Sequence, residues 1–140
     1  MASDFTFSHD STRIDRARVH RWLSEQSYWA KGRPREAQDA AIDASRNYGV
    51  WDAAGEQVGY ARVVTDGVTF AWLCDVFVDE RVRGSGVGKM LVAGVVADLE
   101  PLPLRRIVLA TADAHGLYAQ YGFAPPADPN RYMIKSLTAD

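Results

Sequence analysis

A mixed α/β sheet, mostly antiparallel, with helices on both faces is the fold class that this sequence predicts, and two strand patterns predict it. Apolar stretches at 48–51, 58–64 and 70–78 follow one another across turn-sized gaps, which reads as an antiparallel meander. From Val76 to Ala110 the chain runs strand, glycine-rich loop, helix, strand, which calls for a parallel pair joined by a right-handed crossover. The length of 140 residues, 47% of them hydrophobic, suits one globular domain, 1–140, with a real core.

The elements follow in order. Phe5-Thr6-Phe7-Ser8 alternates apolar and polar residues, as a first strand does. Ser11, Thr12 and Asp15 are helix-start residues, and a helix runs from them to about Gln26 with Ile14, Val19, Trp22 and Leu23 inward. Arg13, Arg16, Arg18 and Arg21 line its other faces and read as a solvated surface. Ser27–Pro34 breaks the pattern, and Pro34 followed by Glu36 opens a second helix through about Ala44. Tyr48–Trp51 and Val58–Val64 are strands joined by a hairpin connection at 52–56, and Asp66-Gly67 marks the next turn. Phe70–Val78 is nearly all apolar and hence a central strand, with Asp75 as the acid inside it. The helix that begins near Gly86 ends at Pro101 and Pro103. Arg106–Ala110 is a strand, Pro125, Pro126 and Pro129 stiffen a loop, and Arg131–Leu137 reads as a last short strand at or near an edge.

The glycine-spaced stretch Arg83-Gly84-Ser85-Gly86-Val87-Gly88 lies between a strand and a helix whose apolar residues fall on one face. A helix start carries unpaired N–H groups and the positive end of the macrodipole, and glycines let an anion approach the backbone. A P-loop is excluded, because Arg83 stands at its first glycine and Met90 replaces the magnesium-binding Ser/Thr after Gly88-Lys89. The alternating Gly84, Gly86 and Gly88 also miss the dinucleotide fingerprint. Arg83, Gly86 and Gly88 do meet R-x-x-G-x-G in full. Further on, Ala114-His115-Gly116-Leu117-Tyr118-Ala119-Gln120-Tyr121-Gly122-Phe123 meets A-x-x-L-Y-x-x-x-G-F. In order and distance these two motifs, spanning Asp75–Phe123, resemble those of the GNAT N-acetyltransferase superfamily. A ligand-free glycine turn and a core helix are the plainer readings, and the second holds for Leu117 and Phe123.

The resemblance implies a GNAT-like central mixed sheet with a splayed parallel strand pair, and acetyl-CoA as co-substrate with no metal. It implies that backbone of Val76, Phe77 and Val78 holds the pantetheine arm, and that Gly84, Ser85, Gly86, Val87, Gly88 and Lys89 take the pyrophosphate with help from Arg83. It matches Tyr118 to the tyrosine that faces the thioester sulfur, where a phenol protonated at neutral pH can donate to a thiolate. The helix–loop–helix bearing Tyr28 and Trp29 corresponds to part of the acceptor pocket, although two amphipathic rings can equally fold back into a core. Thr111 stands where many relatives carry a cofactor-binding Asn, and Glu80 where many carry Pro.

Asp75 is the sharpest candidate for the amine base, since burial raises a carboxyl pKa unless the group is paired. It can equally bind a cationic acceptor or serve as a structural carboxylate paired with an arginine. His115 has a suitable pKa but lies at a helix start. His20 reads as surface, His9 has no context, and Cys74 reads as a small buried hydrophobe.

A net charge of −2 argues against nucleic acid held on a basic surface. A single cysteine leaves no internal disulfide and no cysteine metal cluster. Residues 1–10 lack a signal pattern and no run approaches 18 apolar residues, so a cytoplasmic protein with no membrane partner is expected. The expected activity is acetyl transfer from acetyl-CoA to a primary amine of a small molecule. A protein or peptide amine as acceptor, and a non-catalytic acyl-CoA-binding module, are the alternatives. The implied fold is compatible with a homodimer.

Overall fold

The structure, a computed structural model, describes residues 4–138. Among them five strands form one sheet in the order β1 (Thr6–Ser8), β2 (Arg46–Trp51), β3 (Gln57–Thr65), β4 (Phe70–Val78) and β5 (Arg106–Val108). The first three pairings are antiparallel and β4 with β5 is parallel, so the expected mixed sheet is present. Helix α1 (Arg16–Arg21) starts at Asp15, whose carboxylate accepts from the Arg18 N–H, and continues into a wide π-turn at Trp22–Gln26. It packs with α2 (Arg35–Asp43) on one face of the sheet. Helix α3 (Val87–Leu99) covers the other and makes the crossover into β5. Beyond β5 lies the short α4 (His115–Ala119).

Two cores result. Toward α3, Val87, Leu91, Val92, Val95 and Leu99 pack on Tyr48, Val50, Val58, Val63, Ala71 and Leu73. Toward α1 and α2, Val19, Trp22, Leu23 and Ile42 pack on Trp51, Tyr60 and Phe77. Gly59 lets α3 come close, because a Cβ there would lie 3.0 Å from Val87 and Leu91 side-chain carbons.

Three outcomes differ from the expected elements. The first helix is divided, with the Trp22–Gln26 turn wound wider than α1. Strand β5 closes at Val108, so Leu109 and Ala110 leave the ladder. The strand expected at Arg131–Leu137 is not formed. Pro129–Arg131 is a 3₁₀ turn, and Met133, Ile134 and Leu137 stand exposed without ladder partners. The three prolines carry the chain off the sheet, and Tyr132 returns only far enough for its hydroxyl to accept from Arg106 Nη1 at 2.9 Å.

No helix among the described residues is long and apolar enough to cross a membrane.

Candidate active site

The parallel pair decides where a ligand can enter. Strand β5 meets β4 only at Phe70↔Arg106, Ala71↔Ile107 and Trp72↔Val108. From Leu73 to Val78, β4 therefore has no β5 partner, and its backbone edges a slot. Open α/β sheets bind ligands at such a place, off the carboxyl ends of parallel strands. The slot opens into a cleft of about 750 Å³ lined by Tyr28, Trp29, Arg33, Arg62, residues 72–78, Arg83, residues 109–114 and Tyr118.

At one end stands the glycine loop. Gly84 and Gly86 adopt φ of 88° and 91°, left-handed values that β-carbons strain against. Gly86 caps α3, and at that end the Met90 N–H donates to the Gly86 carbonyl at 3.0 Å. The N–H groups of Val87, Gly88 and Lys89 thus point out of the helix end with no partner inside it. Arg83 Nε donates to the Val78 carbonyl at 3.1 Å, and its guanidinium lies over the Phe77 ring at 5.3 Å, which ties this charge to the slot. Ser85 is turned inward, since its N–H and its hydroxyl both donate to the Val82 carbonyl. An anion at the loop therefore meets the backbone of its neighbours rather than the Ser85 hydroxyl.

At the other end, Tyr118 is buried on α4 and stacks edge-on against Phe123 with ring centroids 5.9 Å apart. Burial, with lesser effects of Tyr28 and Asp113, pushes its phenol up to about 12, so it keeps its proton at neutral pH. Thr111 Oγ1 accepts from the Ala114 N–H at 3.0 Å and so holds the turn that leads into α4. His115 is exposed and does not line the cleft.

Asp75 is the centre of the third region. β4 bulges there: the register steps from Tyr60↔Phe77 to Arg62↔Cys74, and Asp75 adopts φ of +53°. Ala71 and Leu73 before the bulge and Val76 and Val78 after it all pack toward α3. Asp75 is freed from that alternation to face the other side, and Asp is among the few residues that tolerate this backbone. Its Oδ2 accepts from Arg33 Nη1 at 2.8 Å and from Arg62 Nε at 2.9 Å, and its Oδ1 from Trp29 Nε1 at 2.8 Å. Burial pushes this carboxyl up, but the Arg33 hydrogen bond and the charges of Arg62 and Arg33 outweigh it and hold the pKa below the ordinary value. That argues against the proton-acceptor role expected of Asp75, because a carboxylate satisfied by two cations is a weak base. Of the alternatives open to it, pairing with an arginine is the one observed.

Tyr28 and Trp29 do not fold back into the core. They are 62% and 42% exposed and touch edge-on at 4.9 Å at the rim of the cleft. The Tyr28 hydroxyl accepts from the Ala112 N–H at 3.1 Å, which bridges the slot between the loops before α2 and before α4. His20 is half-buried rather than on the surface, and its Nε2 lies 2.8 Å from the Arg33 carbonyl, which steadies the same loop. Burial raises the Cys74 thiol to about 11, so it stays a protonated thiol at neutral pH. Arg33 and Arg62 are the site residues that sequence reasoning missed. The signal for Arg62 was present: an arginine inside an apolar strand, one strand away from an aspartate inside an apolar strand.

The pairing carries a stability prediction. A carboxyl with a depressed pKa stabilises the fold above its unfolded value, near 4, and that contribution fades as pH falls through the folded value. At pH 7 it is fully present, so Asp75→Asn is expected to cost about 3 kcal/mol, the low end for removing one partner of a buried pair. Urea unfolding at pH 7 and at pH 3 measures this. The deficit should shrink at the lower pH, and an equal deficit at both would show that packing, not charge, accounts for it.

Comparison with known proteins follows the same lines. A family model described as the acetyltransferase (GNAT) family matches residues 16–123. A solved Xanthomonas campestris protein, assigned to the GNAT family as an acetyltransferase, is 44% identical with a TM-score of 0.89, covering 95% of this chain and 93% of that one. A Gibberella zeae protein classed as an acetyltransferase is 30% identical over 115 residues, 69% of this chain and 65% of its own length. A rice protein (Oryza sativa subsp. japonica) named chloroplastic serotonin N-acetyltransferase 2 is 37% identical over 82 residues, 58% of this chain and 41% of its own. The aligned parts thus span less than two thirds of both curated relatives.

Proposed function

The chain belongs to the GNAT acetyltransferase family, and from that premise we propose that residues 1–140 form one acetyltransferase domain that moves an acetyl group from acetyl-CoA directly to a primary amine of a small molecule, as a cytoplasmic enzyme. The observation that carries the reading is the open edge of β4. It runs between a helix N-terminus whose first N–H groups have no partner among the described residues and a buried, protonated phenol. The residues present fit the co-substrate. The unpaired N–H groups of Val87, Gly88 and Lys89 with Arg83 suit a pyrophosphate. The strand edge at Val76, Phe77 and Val78 suits the amides of the pantetheine arm, with the Val78 carbonyl already taken by Arg83.

Acetyl-CoA supplies the acetyl group as a thioester. The neutral amine forms the new C–N bond as the C–S bond breaks. Tyr118 passes its O–H proton to the departing sulfur, which leaves as the thiol, and the phenolate so formed takes a proton back from water. Asp75 acts by position, holding Trp29, Arg33 and Arg62 around the acceptor, and the surplus amine proton leaves to water. The Tyr28–Ala112 bridge walls the cleft, which favours a small acceptor over a peptide laid along an open groove.

Free thiol released from acetyl-CoA over a panel of primary amines tests this, with the acetylated product identified by mass. The panel includes arylalkylamines, because of the name of the rice relative, along with polyamines, amino acids and peptides. At least one small amine is expected to give thiol and N-acetyl product in equal amounts. A protein that acetyl-CoA stabilises against heat but that acetylates nothing would be a cofactor-binding module. Acetylation confined to peptides would move the acceptor to the protein class.

A further inference from the structure

The acceptor end of the cleft holds more positive charge than its own carboxylate neutralises. Arg33 and Arg62 share Asp75. Their other bonded partners are neutral: Gln38 Oε1 accepts from Arg33 Nη1 at 2.9 Å, and Ser45 Oγ from Arg62 Nη1 at 3.1 Å. Trp29 adds a neutral donor to Asp75. The cluster thus carries one net positive charge. It is not a wet surface pair, since the side chains of Arg33 and Arg62 are 24% and 14% exposed. Each guanidinium offers five N–H groups in a fixed fork. Arg33 Nε and Nη2 and Arg62 Nη2 have no hydrogen-bond partner among the described residues, and both side chains line the cleft.

An excess cation in a partly dehydrated cleft is unfavourable until an anion meets it. We infer that the acceptor amine also carries an anionic oxygen group, a carboxylate or a phosphate, which Arg33 and Arg62 receive. The substrate class is then a zwitterionic amine of amino-acid or aminophosphate type. The inference rests on the acetyltransferase reading above and sharpens it. A simple cationic amine or a diamine would bring its charge against a site already positive. Trp72, which lines the cleft beside Cys74 and is 36% exposed, gives the carbon part of such a molecule an apolar wall.

The test uses matched sets: several L-amino acids, each with its carboxamide and its decarboxylated amine, and 2-aminoethyl phosphate beside ethanolamine. Thiol release from acetyl-CoA gives kcat/KM for each. The anionic member of at least one set is expected to exceed its partners by roughly 10- to 100-fold, the usual value of hydrogen bonds to a charged group. Whether the amino acids or the aminophosphate lead identifies the anion. Arg62→Gln is expected to collapse that ratio mainly through KM, and Arg62→Lys to restore part of it. Heat stabilisation by acetyl-CoA reports that each variant is folded with its cofactor site intact. If Arg62→Gln does not fold, Arg33→Gln makes the same comparison. Equal use of all members of every set, or a preference for the decarboxylated amines, overturns the inference and leaves the acetyltransferase reading standing. A folded protein that binds acetyl-CoA and acetylates no member overturns the inference, and if it also acetylates nothing in the wider amine and peptide panel the acetyltransferase reading falls with it.

Discussion

Tyr118→Phe is expected to lower the rate of acetyl transfer by roughly 10²–10⁴-fold, the usual worth of one positioned acid, and to leave acetyl-CoA binding intact. The substitution removes a single oxygen and keeps the ring that stacks on Phe123. The glycine loop and the β4 edge are untouched, so the cofactor's stabilising effect on the fold persists. The loss should shrink for acyl donors whose thiol is more acidic, since they need less help to leave. The pH profile gives a second check. With the phenol held near 12, chiefly by burial, Tyr118 stays a donor throughout the working range. The activity of the unaltered protein should rise with pH as the acceptor amine loses its proton, and no falling limb assignable to Tyr118 should occur below about pH 11. A Phe variant with full activity would mean that water or a backbone group meets the thiolate.

Gly86→Val is expected to weaken acetyl-CoA binding by roughly 10- to 100-fold, as misdirected hydrogen bonds to a charged phosphate would. At φ of 91° Gly86 both ends the loop and caps α3. A β-branched residue there must leave the left-handed region, and in leaving it would rotate the N–H groups of residues 87–89 away from a common target. The cofactor's shift in melting temperature, which grows with the logarithm of concentration over Kd, should fall accordingly. Gly55→Val is the control. It imposes comparable strain at φ of 85° in the β2–β3 hairpin, where a Cβ meets nothing within 4 Å. It should lower stability yet leave the cofactor shift unchanged. If both variants bind acetyl-CoA normally, the loop is not the phosphate site.

The order of elements was legible because each has a local cause: periodic apolar residues, turn residues at 52–56 and 66–67, and prolines that close helices. The glycine loop was legible for the same reason, since its spacing is continuous in the chain. What was not legible depends on contacts between distant residues. The partners of Asp75 lie 42, 13 and 46 positions away, and no periodicity reports that they converge. The bulge that turns Asp75 toward them uses a positive φ that an aspartate permits but does not announce. Arg131–Leu137 failed in the opposite sense. Its apolar residues suit a strand, but a strand exists only where a neighbour pairs with it, and this segment meets β5 through the Tyr132 side chain without forming a ladder.

The short β4–β5 ladder has a consequence for solubility. Strand ends left unpaired invite other chains to add to them, and proteins commonly suppress this with charge, proline or a covering element. Here the unpaired stretch of β4 lies past the end of β5 and faces residues 109–114 and Tyr118 across the cleft, in place of a sheet neighbour. A pantetheine arm bound there as proposed would do for this edge what a capping strand does for others.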